Sequence, residues 1–325
     1  MQAEPRTVAS STEVEVSASK KSARPSLREI AASTLQAIED GSFELDGVTY
    51  DLRDTIIDAM NQNTSLYDAN SDLSEWSDNA PRVDNTEALS EVEITVSECS
   101  TLVGARTLKE ALISNEVEDE RVGVLNFASA KNPGGGFIKG AQAQEESIAR
   151  SSTIYSSLMS DVAQPFFRSH KKDPKQGYYS HAMLYIPRVL FFRSDKGDWL
   201  PPIEADIVSS AAINAGVVRR YLRENKSTDE SNLDAAMKER MARILYLFEW
   251  RGVRNLVLGS FGTGVFRNRV ELVAGIWKEL LVSPDARFKH SFDRVVFAIL
   301  GNATFKVFEN TFSPTAKEEP VQEGE

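Results

Sequence analysis

The chain has 325 residues, with 37 Lys and Arg against 48 Asp and Glu, a formal charge of −11. Its 41% hydrophobic and 26% charged residues are ordinary for a globular protein and exclude a chain disordered throughout. No run approaches the ~20 apolar residues of a membrane span, and the acidic balance argues against nucleic-acid binding through a basic face.

Residues 1–26 hold many serines and no aromatic, so a disordered tail is expected there, as at 313–325. The first residues lack an apolar h-region, so no secretory signal is expected. Lys20, Lys21 and Arg24 form a thin basic cluster, read as solvated tail rather than a targeting signal. Leu27, Ile30, Ala31, Leu35 and Ile38 follow helical spacing up to Gly41. A second helix is expected over 54–60, then a polar stretch to Asn85 docked through Tyr67, Leu73 and Trp76. Val92, Ile94 and Val96 alternate as a strand. A helix over 101–113, a buried strand over 121–127 and a helix over 143–158 follow.

Residues 183–192 read as a strand broken by Pro187, and 207–210 as another. A mobile polar loop is expected over 225–231. Met237, Met241, Leu245 and Phe248 mark the core stripe of a helix ending at Gly252. A strand over 255–258, a helix over 270–282 and a strand over 294–300 close the folded region. Alternating strands and helices predict an α/β sandwich with a largely parallel central sheet. No linker divides it, so we read a helical extension over 27–90 and one domain over 91–312.

Two glycine-rich segments follow predicted strands. Gly134, Gly135 and Gly136 come off the 121–127 strand, and glycines there let backbone N–H groups approach a ligand. Seven residues later stand Gln144, Glu145 and Glu146, at an expected helix start. An ordinary acidic helix N-terminus is the competing reading. A phosphate cradle beside two carboxylates points to chemistry on a phosphorylated sugar. The second segment, Gly259 to Phe266, follows the 255–258 strand and precedes a helix, where open α/β sheets bind ligands. It matches neither a dinucleotide-binding fingerprint nor a P-loop. His170, His181 and His290 match no ligand spacing, so no metal and no cofactor are expected. The single cysteine, Cys99, excludes intramolecular disulfides and fits a reducing, intracellular setting. It reads as a small buried hydrophobe.

The segment from Asn126 to Gly136 followed by Gln144-Glu145-Glu146 resembles the signature of poly(ADP-ribose) glycohydrolases. Residues 141–158, 185–193, 206–216 and 256–268 resemble the microbial-type branch of that family. The resemblance runs from about Leu27 to Phe312. It implies a macrodomain-like three-layer α/β/α fold with an N-terminal helical extension. It implies cleavage of the ribose–ribose bonds of poly(ADP-ribose), with ADP-ribose as product and polymer or ADP-ribosylated protein as substrate. An ADP-ribose reader and a mono-ADP-ribosyl hydrolase are the alternatives. No membrane or direct DNA contact is implied, a monomer is expected, and the location would be nuclear or cytoplasmic.

By the same resemblance Glu146 is the catalytic acid/base and Glu145 hydrogen-bonds the distal ribose. Gly134, Gly135 and Gly136 match the catalytic loop over the diphosphate, with Gln144 at its end. Ser260, Phe261, Gly262, Thr263, Gly264, Val265 and Phe266 match the second diphosphate loop, with Phe266 packing on the ribose. Glu98 stands where an acidic residue meets the adenine amino group, and a surface carboxylate is its other reading. Asn214, after a strand, is either near the site or a turn residue. Animal members carry Phe-Ala-Asn where this chain has Phe127-Ala128-Ser129. Asn126 and Asn132 are the candidates to replace that asparagine. Tyr178 and Tyr179 are weighed as adenine-stacking aromatics against simple packing. An acid at Glu146 requires a pKa well above the usual ~4.3, to which Glu145 and burial would contribute.

Overall fold

The computed structural model describes residues 25–53, 57–78, 90–172 and 176–313. The tails expected at 1–26 and 313–325 lie outside these residues, except Pro25, Ser26 and Ser313, as do the basic cluster at 20–24 and the stretch 79–89.

Helix α1 (Leu27–Asp40) starts at a capping box, in which the Ser26 hydroxyl accepts from Glu29 N and the Glu29 carboxylate accepts from Ser26 N. It ends at Gly41 in the left-handed conformation, φ 73°. A hairpin follows, β1 (Ser42–Leu45) and β2 (Val48–Asp51), which the sequence reading did not contain. Its signal is the Asp46–Gly47 turn, with φ of 52° and 78°, the pairing that two-residue hairpins favour. Helix α2 (Asp58–Asn63) and strand β3 (Ser65–Tyr67) complete the N-terminal part. This part is therefore not only helical, and β3 pairs antiparallel with β6.

Among the described residues the main sheet has seven strands, in the order β3-β6-β7-β5-β8-β9-β4. Its further members are β4 (Glu93–Ser97), β5 (Val122–Phe127), β6 (Met183–Arg193), β7 (Trp199–Ser210), β8 (Asn255–Leu258) and β9 (Arg294–Ala298). Strands β7, β5, β8, β9 and β4 run parallel, while β3–β6 and β6–β7 are antiparallel. The sheet is mixed and largely parallel, as expected. Alternate residues feed opposite cores: Leu125, Leu256 and Leu258 face one, Val124 and Val257 the other. Helices α7 (Ala215–Glu224), α8 (Ser231–Trp250), α9 (Val270–Leu281) and α10 (Asn302–Phe312) cover the first face. Helices α3 (Thr101–Ser114), α4 (Gln144–Ser151), α5 (Ile154–Met159) and α6 (Gln164–Lys171) cover the second, with α1 and α2. The Met237/Met241/Leu245/Phe248 stripe of α8 is fully buried.

Tertiary contacts override the local pattern in two places. The single helix read over 143–158 is split at Ser152–Thr153. There Thr153 N donates to Leu190 O at 3.0 Å, and Thr153 Oγ1 accepts from Leu190 N at 3.1 Å. The chain leaves helical geometry to pair with β6. Conversely, Pro187 does not break β6. The strand shifts register between Ile186 and Val189, and Arg188 takes φ 56° and donates its N–H to Asp206 Oδ1 at 2.8 Å. Helices α6, α7 and α10 and the first two-thirds of β7 were absent from the sequence reading.

Candidate active site

The carboxyl ends of β5, β8, β9 and β4 open into one cleft of about 1260 Å³. Gly135 and Gly136 of the first glycine segment and most of the second line it, where an open α/β sheet places its ligand, whereas Gly134 is buried and outside the lining.

Helix α4 begins directly under the first loop. Its cap residue, Ala143, offers no side-chain acceptor; the Glu146 carboxylate reaches back instead, Oε2 accepting from Ala143 N at 3.1 Å. Oε1 accepts from Gly136 N at 3.0 Å. Glu146 is thus both an acidic helix start and a group tied to the glycine loop, so the two sequence readings describe one side chain. It is half-buried at the cleft wall.

Glu145 is 2% exposed. Its Oε2 accepts from Ser129 N at 2.7 Å, and Asn126 Nδ2 reaches Oε1 at 3.4 Å. Burial pushes its carboxyl up to about 8; the Ser129, Asn126 and Gly134 hydrogen bonds oppose this, and the Glu146 charge adds to it. The carboxyl that burial raises is that of the first glutamate, Glu145.

Gln144 lines the cleft, but its amide is occupied. Oε1 accepts from Phe127 N at 2.8 Å, and Nε2 donates to Leu125 O at 2.7 Å and Thr101 Oγ1 at 3.2 Å. The side chain extends the β5 ladder and clamps α4 to the strand end. It positions the two glutamates rather than offering its amide to a ligand.

In the first loop Gly134 and Gly135 have φ of 65° and 58°. A Cβ on Gly135 would overlap Glu146 Oε1 and lie 3.2 Å from Glu145 Oε2, so both carboxyls abut this glycine. Of the candidates to replace the animal asparagine, Asn126 is fully buried, bonded to Ser209 Oγ at 2.7 Å and adjoining Glu145. Asn132 is exposed at the rim, its N–H on Ser129 Oγ at 3.2 Å.

In the second loop Ser260, Gly262, Thr263, Gly264, Val265 and Phe266 line the cleft. Phe261 does not: it is fully buried, edge-on to Phe127 at 5.6 Å, so the ligand contact expected of it is corrected to a core role. Alternation along the loop turns it inward. Gly262, φ 73°, packs on Ala212 so closely that a Cβ would overlap it. Asn268, which the sequence reading did not single out, ties the loop down, Nδ2 donating to Ile213 O at 2.8 Å and Gly262 O at 2.9 Å. Trp277 Nε1 donates to Gly259 O at 3.1 Å. Val265 is 81% exposed at the tip, and Phe266 is half-buried with its ring 5.9 Å from Tyr179.

For three further residues two readings were open, and the structure places each outside the cleft wall. Glu98 is exposed and not part of the cleft wall, which its neighbours Cys99, Ser100 and Thr101 form, so the surface reading holds. Asn214 caps α7, its Oδ1 accepting from Val217 N at 3.1 Å, and faces a small adjoining pocket instead of the cleft. Tyr179 is 8% exposed and packs with His170 and Phe266, away from the cleft. Cys99 is half-buried, packed against the core and also part of the cleft wall, and burial together with Asp195 pushes its thiol up. The apolar wall missed in sequence is Leu102, Val270, Ala298 and Leu300. Leu300, read as the end of a buried strand, lies two residues past β9 and is 69% exposed.

The arrangement offers two adjacent carboxyls, one buried and raised by that burial, between two glycine loops and beside an apolar wall. Such a site can bind a nucleoside diphosphate sugar and transfer protons at its sugar. Among the described residues no helix is long and apolar enough to cross a membrane.

A profile of the microbial-type PARG catalytic domain matches residues 31–194. No curated protein matches the chain significantly. Among solved structures, the poly(ADP-ribose) glycohydrolase of Thermomonospora curvata is 32% identical, with a TM-score of 0.76 over 88% of this chain and 99% of that one. The same protein bound to the inhibitor ADP-HPD gives a TM-score of 0.73 at 32% identity, over 88% and 99% of the two chains. The enzyme of Deinococcus radiodurans in complex with ADP-ribose is also 32% identical, with a TM-score of 0.68 over 83% of this chain and 99% of that one.

Proposed function

Because this chain belongs to the microbial-type poly(ADP-ribose) glycohydrolase family, we propose that it hydrolyses the ribose–ribose O-glycosidic bonds of poly(ADP-ribose) and releases ADP-ribose. The observation that carries this reading is the close approach of both the Glu145 and Glu146 carboxyls to Gly135, in a cleft that the second glycine loop also lines. Residues 91–312 form the macrodomain-like catalytic body in this reading, and 27–90 its N-terminal extension.

Cleavage at the anomeric carbon passes through an oxocarbenium-like state and needs an acid at the leaving oxygen. Glu146, at the loop, passes the proton that the carboxyl pair holds to the departing 2′-oxygen and then takes one from the attacking water. Glu145, fixed by Ser129 N–H and Asn126, hydrogen-bonds the ribose hydroxyls. Burial at Glu145 keeps a proton within the carboxyl pair at neutral pH. The substrate diphosphate, bound by backbone N–H groups of the two loops, adds negative charge that favours that proton and stabilises the developing cation.

The test is Glu146→Gln assayed for ADP-ribose released from purified polymer. Loss of release with retained thermal stabilisation by ADP-ribose is expected; release at near wild-type rate would refute the assignment. Turnover confined to mono-modified protein would replace the polymer reading with the mono-ADP-ribosyl one.

A further inference from the structure

We propose that the small pocket beyond Val265 is a second diphosphate subsite, in which Arg220 and Arg267 hold the polymer unit next to the one being cut. The inference rests on the polymer-cleaving reading and extends it past the cleft.

The pocket, about 230 Å³, is formed by Asn214, Gly216, Val217, Arg220, Val265 and Arg267. Val265 belongs to both pocket and cleft, so the two adjoin at the tip of the second loop. Position along the sheet sets the direction. The apolar wall of Leu102, Ala298 and Leu300 lies at the β9–β4 end, and suits a base. The carboxyls follow β5, and α7, which carries Arg220, follows β7 on the other side. A chain cut beside the carboxyls continues away from the apolar wall, toward this pocket.

The two arginines differ from their neighbours. Arg219 is paired with Glu230 at 2.8 Å and Arg269 with Asp234 at 2.7 Å. Arg220 and Arg267 are exposed and carry no such ion pair among the described residues, in a protein of charge −11. Arg267 is also held at φ 58°, a left-handed conformation that costs a non-glycine residue energy. Its carbonyl accepts from Arg219 Nη1 at 2.6 Å, and its side chain lies over the first turn of α7, with Cδ 3.4 Å from where a Gly216 Cβ would be. The backbone is thus held in a strained form, and the side chain lines the pocket. Each unit of the polymer carries two negative phosphates, and guanidinium forks suit phosphate oxygens.

The test is the double variant Arg220→Gln and Arg267→Asn, asparagine being chosen because it tolerates the left-handed conformation. The KM for polymer should rise about fivefold with kcat retained, while thermal stabilisation by ADP-ribose alone is unchanged. An unchanged KM, or an equal loss of ADP-ribose binding, would overturn the subsite. Polymer binding by Glu146→Gln with and without the two changes reads the arginines independently of turnover. If the wild type fails to cleave polymer, the functional reading falls, and equal polymer binding by those two proteins removes the subsite as well.

Discussion

Gly135 lies against the carboxyl of Glu146 so closely that any side chain on it would displace Oε1. The glycine and the glutamate are eleven positions apart in sequence and act as one element: the loop closes only because the residue over the carboxyl has no Cβ. Gly135→Ala should therefore lower kcat on polymer about 100-fold while costing only about 1 kcal/mol of stability from its positive φ. Polymer kinetics beside a thermal melt check this. Near-normal turnover would mean that the loop can retreat without harm.

The Gln144 clamp separates positioning from ligand contact. Gln144→Leu leaves Phe127 N–H and Leu125 O without their partners and should destabilise the protein by about 2 kcal/mol. Stabilisation by ADP-ribose, measured as the further rise in Tm, should persist. Unchanged stability with lost ADP-ribose binding would instead make Gln144 a ligand contact.

Glu145 makes stability depend on pH. Its folded pKa, about 8, lies above the ordinary 4.5 because burial disfavours the charged form. The folded state then binds more protons than the unfolded one between those values, so this group's contribution falls as pH rises through the window and levels off above it. The Tm difference between wild type and Glu145→Gln should shift against the wild type from pH 5 to pH 8. A difference independent of pH would show that Glu145 titrates in the ordinary range.

Asn214 and Glu98 test the limits of sequence reasoning about the site. Asn214→Ala should cost about 1 kcal/mol through the lost α7 cap and leave ADP-ribose binding intact. Glu98→Ala should alter neither stability nor binding, because the side chain is exposed and outside the cleft. Weakened binding in either variant, read by titration with ADP-ribose, would return that residue to the site.

The local signals were legible without coordinates. Alternation at Val92, Ile94 and Val96 marks a strand, and Gly41 ends a helix, because both depend on backbone geometry within a few residues. The two glycine segments and the Gln-Glu-Glu triplet were legible too, since close approach of a backbone to a ligand requires glycine wherever it occurs. The sheet's largely parallel character followed from the alternation of strands and helices. Where a distant partner competes with local propensity, the pattern misled. Ser152 and Thr153 leave helical geometry to bond with β6, and Pro187 stays in a strand because a bulge and Asp206 accommodate it.

The sequence by itself marked the candidates for the chemistry; the tertiary structure decided what each one meets. Gln144, Glu145 and Glu146 are adjacent in the chain, yet one clamps a strand, one is buried and raised, and one meets the glycine loop. Their side chains leave the first turn of α4 in different directions. What each meets, β5, the interior or the cleft, is set by packing between segments far apart in sequence. The same holds in the second loop, where Phe261 turns into the core and Val265 into solvent. Burial and electrostatic environment are properties of the folded surroundings, and no run of neighbouring residues contains them.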